Sequence, residues 1–199
     1  EINEKRLKEI EQKIFNFQEK DLYTRYDSVK EKLKLTNEFP SSDIYIVTVQ
    51  TPIDKNRKAD LSYVKNAFKK VAKNLKKNDL VILESTVPPN SNKEFIKYIS
   101  SLSDLSEKDF DYVYCPETIQ PGNVFNELES NSRVIGSNSE RAYRRAYEIY
   151  SKITKGKVNQ TSFIVAEHVK IIQNSYRDYE IAFANSLSIY CDEHNINVY

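Results

Sequence analysis

The chain has 199 residues, 39% of them apolar, enough for one large domain or for one domain and part of another. Lys and Arg number 30 against 29 Asp and Glu, a net charge of +1, so no basic footprint points to nucleic acid or an anionic membrane surface. No apolar run approaches membrane-span length and no charged-then-apolar leader opens the sequence, so no membrane partner and a cytoplasmic setting are expected.

Residues 2 to about 19 have helical spacing, with Ile2, Leu7, Ile10, Ile14 and Phe15 set among charged positions. A polar stretch with Tyr23 and Tyr26 follows, and residues 34–37 are predicted as a short strand. Residues 43–49 (DIYIVTV) are short, apolar and β-branched, which predicts a buried strand broken by Thr51-Pro52. Residues 61–75 read as an amphipathic helix with Asp60 as its N-cap. Residues 79–84 (DLVILE) predict a second buried strand, stopped by Ser85-Thr86 and Pro88-Pro89. A helix over 92–102, a strand over 111–115, a strand over 133–136, a helix over 140–153 and a strand over 157–159 follow. From Ala166 to about His194 one helix runs with no proline or glycine.

Strands alternating with helices imply a parallel sheet with βαβ crossovers, in which ligands sit beyond the carboxyl ends of the strands. Thr51, Ser85, Thr86, Pro116 and Glu117 all follow predicted strands. Each alone reads as a turn or cap residue; three such positions together point to a site. Two cysteines, Cys115 and Cys191, show no metal or redox spacing and are expected to be structural. Two histidines are too few and too far apart for a metal site, and His168 is expected on a helix surface.

On a helical wheel, Lys170, Asn174, Arg177, Asp178 and Asn185 share a sector beside Glu167, while Val169, Ile172, Tyr176, Phe183 and Leu187 lie opposite. The expectation is that the apolar side buries. Periodicity alone favours an ordinary solvated, salt-bridged face for the polar side. Ile181 intrudes on that side, so the second half of the helix is expected to be covered all round, as at a subunit interface.

There is no methionine, and the only glycines are Gly122, Gly136 and Gly156, so the glycine cluster that nucleotide-binding enzymes set against phosphates is missing. These absences predict an excerpt from a longer protein. A doubly wound sheet without its first strand is expected to leave a gap between edge strands and to be unstable alone.

The stretches DIYIVTVQTP (43–52), ADLSYV (59–64), LVILESTVP (80–88), YCPETIQPG (114–122), ELESNSRVIG (127–136) and the long C-terminal helix from Ala166 onward resemble the UDP-glucose/GDP-mannose dehydrogenase superfamily, in its order and spacing. They resemble most closely its UDP-N-acetylmannosamine dehydrogenase branch. The resemblance implies an α/β fold. Residues 1–160 would be the later part of a Rossmann-like NAD-binding domain, and residues 161–199 the start of a central helical domain whose long helix builds a homodimer. It implies an NAD-dependent enzyme that oxidises C6 of a UDP-N-acetylhexosamine to the uronic acid for surface polysaccharide synthesis. A UDP-glucose 6-dehydrogenase, or a truncated non-catalytic relative that dimerises or binds nucleotide sugars, are the alternatives.

Carried over position by position, the resemblance implies that Glu1 holds the adenosine ribose, that Thr51 contacts the cofactor, and that Thr86 lies near the nicotinamide and positions the catalytic water. It implies acid/base work for Glu117 and oxyanion stabilisation by Lys170 with a hydrogen bond from Asn174. Arg177, and Ile119 of the IQPG stretch, would contact substrate. Three positions depart from the family pattern: Gln50 replaces the proline before Thr51, Thr118 stands where many relatives of this branch have arginine, and Ser186 follows Asn185. The nucleophilic cysteine of the family, which captures the aldehyde, belongs to a glycine-rich loop outside these 199 residues.

Overall fold

The computed structural model describes residues 3–16, 18–120 and 122–198. Two short helices come first, α1 (Glu4–Glu11) and α2 (Leu22–Val29), the latter continued by a 3-10 turn over Lys30–Lys32. Alternating elements follow: β1 (Ile44–Val47), α3 (Ser62–Asn74), β2 (Leu80–Leu83), α4 (Ser91–Leu102), β3 (Asp111–Tyr114), α5 (Val124–Ser130), β4 (Arg133–Ser137), α6 (Glu140–Tyr150), β5 (Val158–Thr161) and α7 (Phe163–Glu193).

The strands form one sheet in the order β1-β2-β3-β4-β5. β1, β2 and β3 are parallel, with Ile44 opposite Leu80 and Leu80 opposite Asp111. β4 runs antiparallel to β3, with Tyr114 opposite Gly136, and β5 is parallel to β4. The all-parallel expectation is therefore corrected at one pairing. That reversal brings the start of β4 to the end of the sheet where β1, β2 and β3 finish.

Strand alternation sorts the core onto two faces. Val81, Leu83, Tyr112 and Tyr114 point to the face covered by α3 and α4, where Phe68 packs edge-on against Phe95 and Tyr112, and Tyr112 against Phe163. Leu80, Ile82, Val113 and Cys115 point to the other face, against Ala142, Ala146 and Tyr150 of α6. Gly136 lets α7 begin directly on β4, since an added Cβ would stand 2.9 Å from the Phe163 Cα. Gly156 is used the same way, with the Ser130 carbonyl oxygen 2.6 Å from a Cβ placed there. Both are therefore packing glycines.

Several expectations are corrected. The first helix stops at Glu11, and Lys13 takes a left-handed conformation (φ 59). Residues 34–37 form no strand. α2 and α5 arise where no helix was expected; a distant chain segment supports α5, because the Glu19 carboxylate accepts the Gly122 and Val124 amides at its start. Asp60 stands one position before the residue that caps α3, yet its carboxylate still accepts the Ser62 amide at 2.9 Å and is held below the usual carboxylate range by that bond. The five strands are contiguous, with no internal gap. In a doubly wound order of 3-2-1-4-5-6, strands 4, 5 and 6 lie together on one side of the first, so strands consecutive in sequence pair without it between them. Accordingly β1 ends the sheet, with Ile44 and Ile46 exposed. Among the described residues no helix is long and apolar enough to cross a membrane.

Candidate active site

The carboxyl ends of β1, β2 and β3 and the start of β4 meet at one edge, and α7 passes over it. The Ser85 hydroxyl, just after β2, donates to the Val49 carbonyl after β1 at 2.7 Å. This ties the turn carrying Thr86 to the loop carrying Thr51, and both threonines are partly buried. The Glu117 amide donates to the Glu84 carbonyl at 3.2 Å, so the β2–β3 ladder continues one step past the strands into the site.

Glu117 is the most heavily bonded of the expected residues. Its Oε1 accepts the Thr118 amide at 2.5 Å and the Ile119 amide at 2.7 Å. Arg133 Nη1 reaches Oε1 at 3.2 Å and Oε2 at 3.3 Å. The guanidinium is 1% exposed while the Glu117 side chain is 38% exposed, so the carboxylate stands between a buried cation and the open edge. Ile119 contributes its backbone here, and its side chain is partly buried.

Lys170 is buried on the face of α7 that meets the domain. Burial, then the positive charge of Arg177, push its ammonium below the 10.5 of a free lysine, and the Glu117 charge opposes them. Glu117 and Arg177 thus both lie within electrostatic reach of Lys170. Asn174, one turn past Lys170, is exposed, and Arg177 is partly buried. Glu1 lies outside the described residues.

The helix faces are the reverse of the sequence expectation. Phe163, Ala166, Glu167 and Lys170 are buried, whereas Ile172, Tyr176, Phe183 and Leu187 are exposed. Glu167 explains the inversion, because its carboxylate serves the start of α4. Oε2 accepts the Asn90 amide at 2.7 Å, and Oε1 accepts the Asn92 amide and side-chain Nδ2 at 3.0 and 2.7 Å. Glu167 is therefore occupied by α4, and Glu117 is the negative charge that acts on Lys170. His168 is exposed, as expected, with its ring bonded to the Ile164 carbonyl.

Neither cysteine is placed as a nucleophile. Cys115 is buried at the end of β3 and its thiol is pushed up to about 12 by burial, so it stays protonated near neutral pH. Cys191 is buried near the end of α7.

The sequence reading missed three residues of this cluster: Arg133, Glu84 and Tyr150. The Tyr150 hydroxyl donates to Glu84 Oε1 at 2.5 Å, and the Arg133 guanidinium carbon lies 5.9 Å from the Tyr150 ring centroid. Burial raises the Glu84 carboxyl, the Tyr150 bond lowers it, Glu117 raises it and Arg133 lowers it. A charged residue opening the apolar run RVIG was the available signal, since a buried guanidinium demands a partner. Three buried polar atoms, Tyr114 Oη, Thr118 Oγ1 and Arg133 Nε, have no hydrogen-bond partner among the described residues. All three residues lie toward the carboxyl edge, with Tyr114 on the α3/α4 face of the sheet and Arg133 beside Tyr150 on the α6 face, and a buried polar group without a protein partner is a place for water or a polar ligand. A cavity of about 450 Å³ borders α5, but its lining contains none of the expected site residues.

A mostly parallel sheet with helices on both faces and a charged cluster at its carboxyl edge is a Rossmann-like dehydrogenase fold. The family model described as "UDP-glucose/GDP-mannose dehydrogenase family, NAD binding domain" matches residues 1–154, and that family's central domain matches residues 164–199. The chain belongs to the UDP-glucose/GDP-mannose dehydrogenase family. It is 36% identical to a UDP-N-acetyl-D-mannosamine dehydrogenase of Methanocaldococcus jannaschii, covering 100% of this chain and 47% of the relative. It is 35% identical to an NDP-N-acetyl-D-galactosaminuronic acid dehydrogenase of Ralstonia solanacearum, covering 100% and 46%. The solved structure of the UDP-D-ManNAc dehydrogenase of Pyrococcus horikoshii superposes with a TM-score of 0.91 at 34% identity, covering 100% of this chain and 49% of that one. The chain thus spans about half the length of the relatives it matches.

Proposed function

We propose that this chain is the NAD-binding half, and the start of the central domain, of an enzyme that oxidises C6 of a UDP-N-acetylhexosamine, UDP-N-acetyl-D-mannosamine first among them, to the uronic acid. The domains divide near residue 160. The observation that carries the reading is the Glu117 carboxylate fixed by buried Arg133 at the carboxyl edge of the sheet, within electrostatic reach of the Lys170 ammonium. The names of its relatives support the acetamido-sugar class.

The residues present fit the nicotinamide side of NAD. Thr51 and Thr86 follow β1 and β2, and Thr118 Oγ1 is buried without a partner among the described residues just after β3. Among the described residues no glycine cluster offers a pyrophosphate cradle, since Gly136 and Gly156 are consumed by packing and Gly122 stands alone before α5. When bound, NAD supplies the hydride acceptor. Alcohol, water and two NAD⁺ give carboxylate, two NADH and three protons.

In this reading Lys170 stabilises negative charge on the C6 oxygen, and Asn174 adds a hydrogen bond. Glu117 takes up or returns protons at that oxygen. Thr86 orients the water, and Arg177 and Ile119 hold the sugar. The exposed apolar positions of α7, including Ile172, Tyr176 and Phe183, support a homodimer through that helix. The test is steady-state turnover by the full-length gene product with UDP-ManNAc, UDP-GalNAc and UDP-glucose. Turnover with an acetamido sugar is expected, and turnover with UDP-glucose alone would overturn the assignment.

The pH dependence carries a further expectation. Arg177 holds the Lys170 ammonium down, so removing its charge raises the pH at which Lys170 loses its proton. Arg177→Gln should therefore move the alkaline limb of kcat, measured at saturating substrate, to higher pH. A limb that stays in place or moves down contradicts the role of Lys170.

A further inference from the structure

The largest fully buried side chain in the described chain is a cation, Arg133. A guanidinium stays charged at any working pH, so burying it demands compensation. Two carboxylates surround it, from two parallel strands: Glu84 follows β2, and Glu117 follows β3. Only Glu117 bonds to it, through one nitrogen that spans both oxygens at 3.2 and 3.3 Å. Glu84 is turned instead to the Tyr150 hydroxyl. The arrangement is asymmetric: one carboxylate lies behind, sealed by a tyrosine, and the other is fixed at the open edge. The antiparallel direction of β4 is what delivers the Arg133 side chain to this edge.

Among the described residues no other side chain bonds to Glu117. Its remaining bonds come from the Thr118 and Ile119 amides, and both reach Oε1. Without Arg133, Oε2 would have no partner among the described residues and the carboxylate plane would be free to turn. A proton-transfer group must sit within hydrogen-bond reach of the atom it serves, and a displacement of about 1 Å costs on the order of 100-fold in rate.

We propose that Arg133 is a positioning residue: its buried guanidinium fixes the Glu117 carboxylate at the carboxyl edge of the sheet, while Glu84 and Tyr150 close the chamber behind it. This rests on the reading of Glu117 as the proton-transfer group. The Arg133 side chain is 1% exposed, so its role is exerted through Glu117. The contact uses one nitrogen, so a lysine at position 133 supplies part of the same function.

The test is a double-mutant cycle in the full-length enzyme with Arg133→Gln, Arg133→Lys and Glu117→Gln. Arg133→Gln should lower kcat by about 100-fold, with KM for NAD and for the UDP-sugar within about threefold, because general acid–base catalysis contributes on the order of 10² to 10⁴. Arg133→Lys should recover about tenfold of that loss, since it restores the charge without the planar fork. In the Glu117→Gln background, Arg133→Lys should cost less than about threefold further, because residues acting through one group are not additive. A further loss in that background as large as in the wild-type background would overturn the positioning role while leaving Glu117 intact as the proton-transfer group. Full kcat in Glu117→Gln alone would overturn both readings. Should Arg133→Gln not fold, the lysine cycle decides, and an Arg133→Lys enzyme with wild-type kcat and a raised KM counts against the proposal.

Discussion

Replacing Lys170 by methionine in the full-length enzyme should lower kcat by about 100- to 1000-fold, the range seen when one donor to a developing oxyanion is removed. The fold should keep its melting temperature or gain a degree or more. The two expectations share one cause. Lys170 is 8% exposed, and burial together with Arg177 works against its charge, with Glu117 the opposing influence. A positive charge held at such a position stabilises negative charge on a ligand better than it stabilises the empty fold. Methionine fills a similar volume without the desolvation cost. NADH formation at saturating substrate and a thermal melt check the pair of expectations. A kcat within tenfold of wild type, or a clear loss of stability, would show that Lys170 is an ordinary structural lysine.

The second large effect concerns stability. Glu167→Ala should destabilise the protein by about 3–5 kcal/mol, because it strands two buried Asn92 donors and the part-buried Asn90 amide at about 1–3 kcal/mol each, less what entering water returns. Glu167 is fully buried and caps α4 from another element. α4 needs this cap, since Asn90, at its N-cap position, adopts a left-handed conformation and makes no side-chain cap bond. A carboxylate at a helix N-terminus also interacts favourably with the helix dipole. The Asn92 side chain passes the connection on by accepting the Tyr112 hydroxyl at 2.8 Å. Glu167→Gln should cost roughly half as much, since one oxygen still accepts while the new amide faces donors. The midpoint of urea unfolding measures both, and a change under about 1 kcal/mol for the alanine variant would contradict this role.

These two neighbours on α7 show what the sequence could reveal. The wheel placed Glu167, Lys170, Asn174 and Arg177 on one face, and that grouping is geometric. Which face buries is a tertiary fact, set by the α4 terminus that Glu167 caps and by the β4 glycine on which Phe163 sits. The apolar face was assigned inward because soluble helices usually bury it. Here that face is left to solvent in this chain. The buried strands were legible because DIYIVTV, DLVILE and DYVYC are short β-branched or aromatic runs ended by turn residues. The direction of β4 was not legible: strand alternation says nothing about orientation, and α5, only seven residues long, lies in the connection that reverses the chain. α5 itself depends on Glu19, more than 100 residues away in sequence, which no local pattern reports.

The site divides in the same way. Thr51, Thr86 and Glu117 were singled out because turns after parallel strands are where ligands bind. Lys170 and Arg177 were singled out by resemblance and by their shared helix face. Arg133 was passed over because a strand-opening arginine looks like a solvated end, and only the antiparallel pairing turns it inward. Glu84 was read as a strand end, and its tie to Tyr150 spans 66 residues.

The most direct measurement is the number of NADH molecules formed per UDP-N-acetyl-D-mannosamine consumed by the full-length protein. Two NADH, with the uronic acid as the only sugar product, is the result expected of an edge that holds Glu117 and Lys170 over C6 through both oxidations. A ratio of one with free aldehyde, or binding of the nucleotide sugar without any NADH, would contradict it.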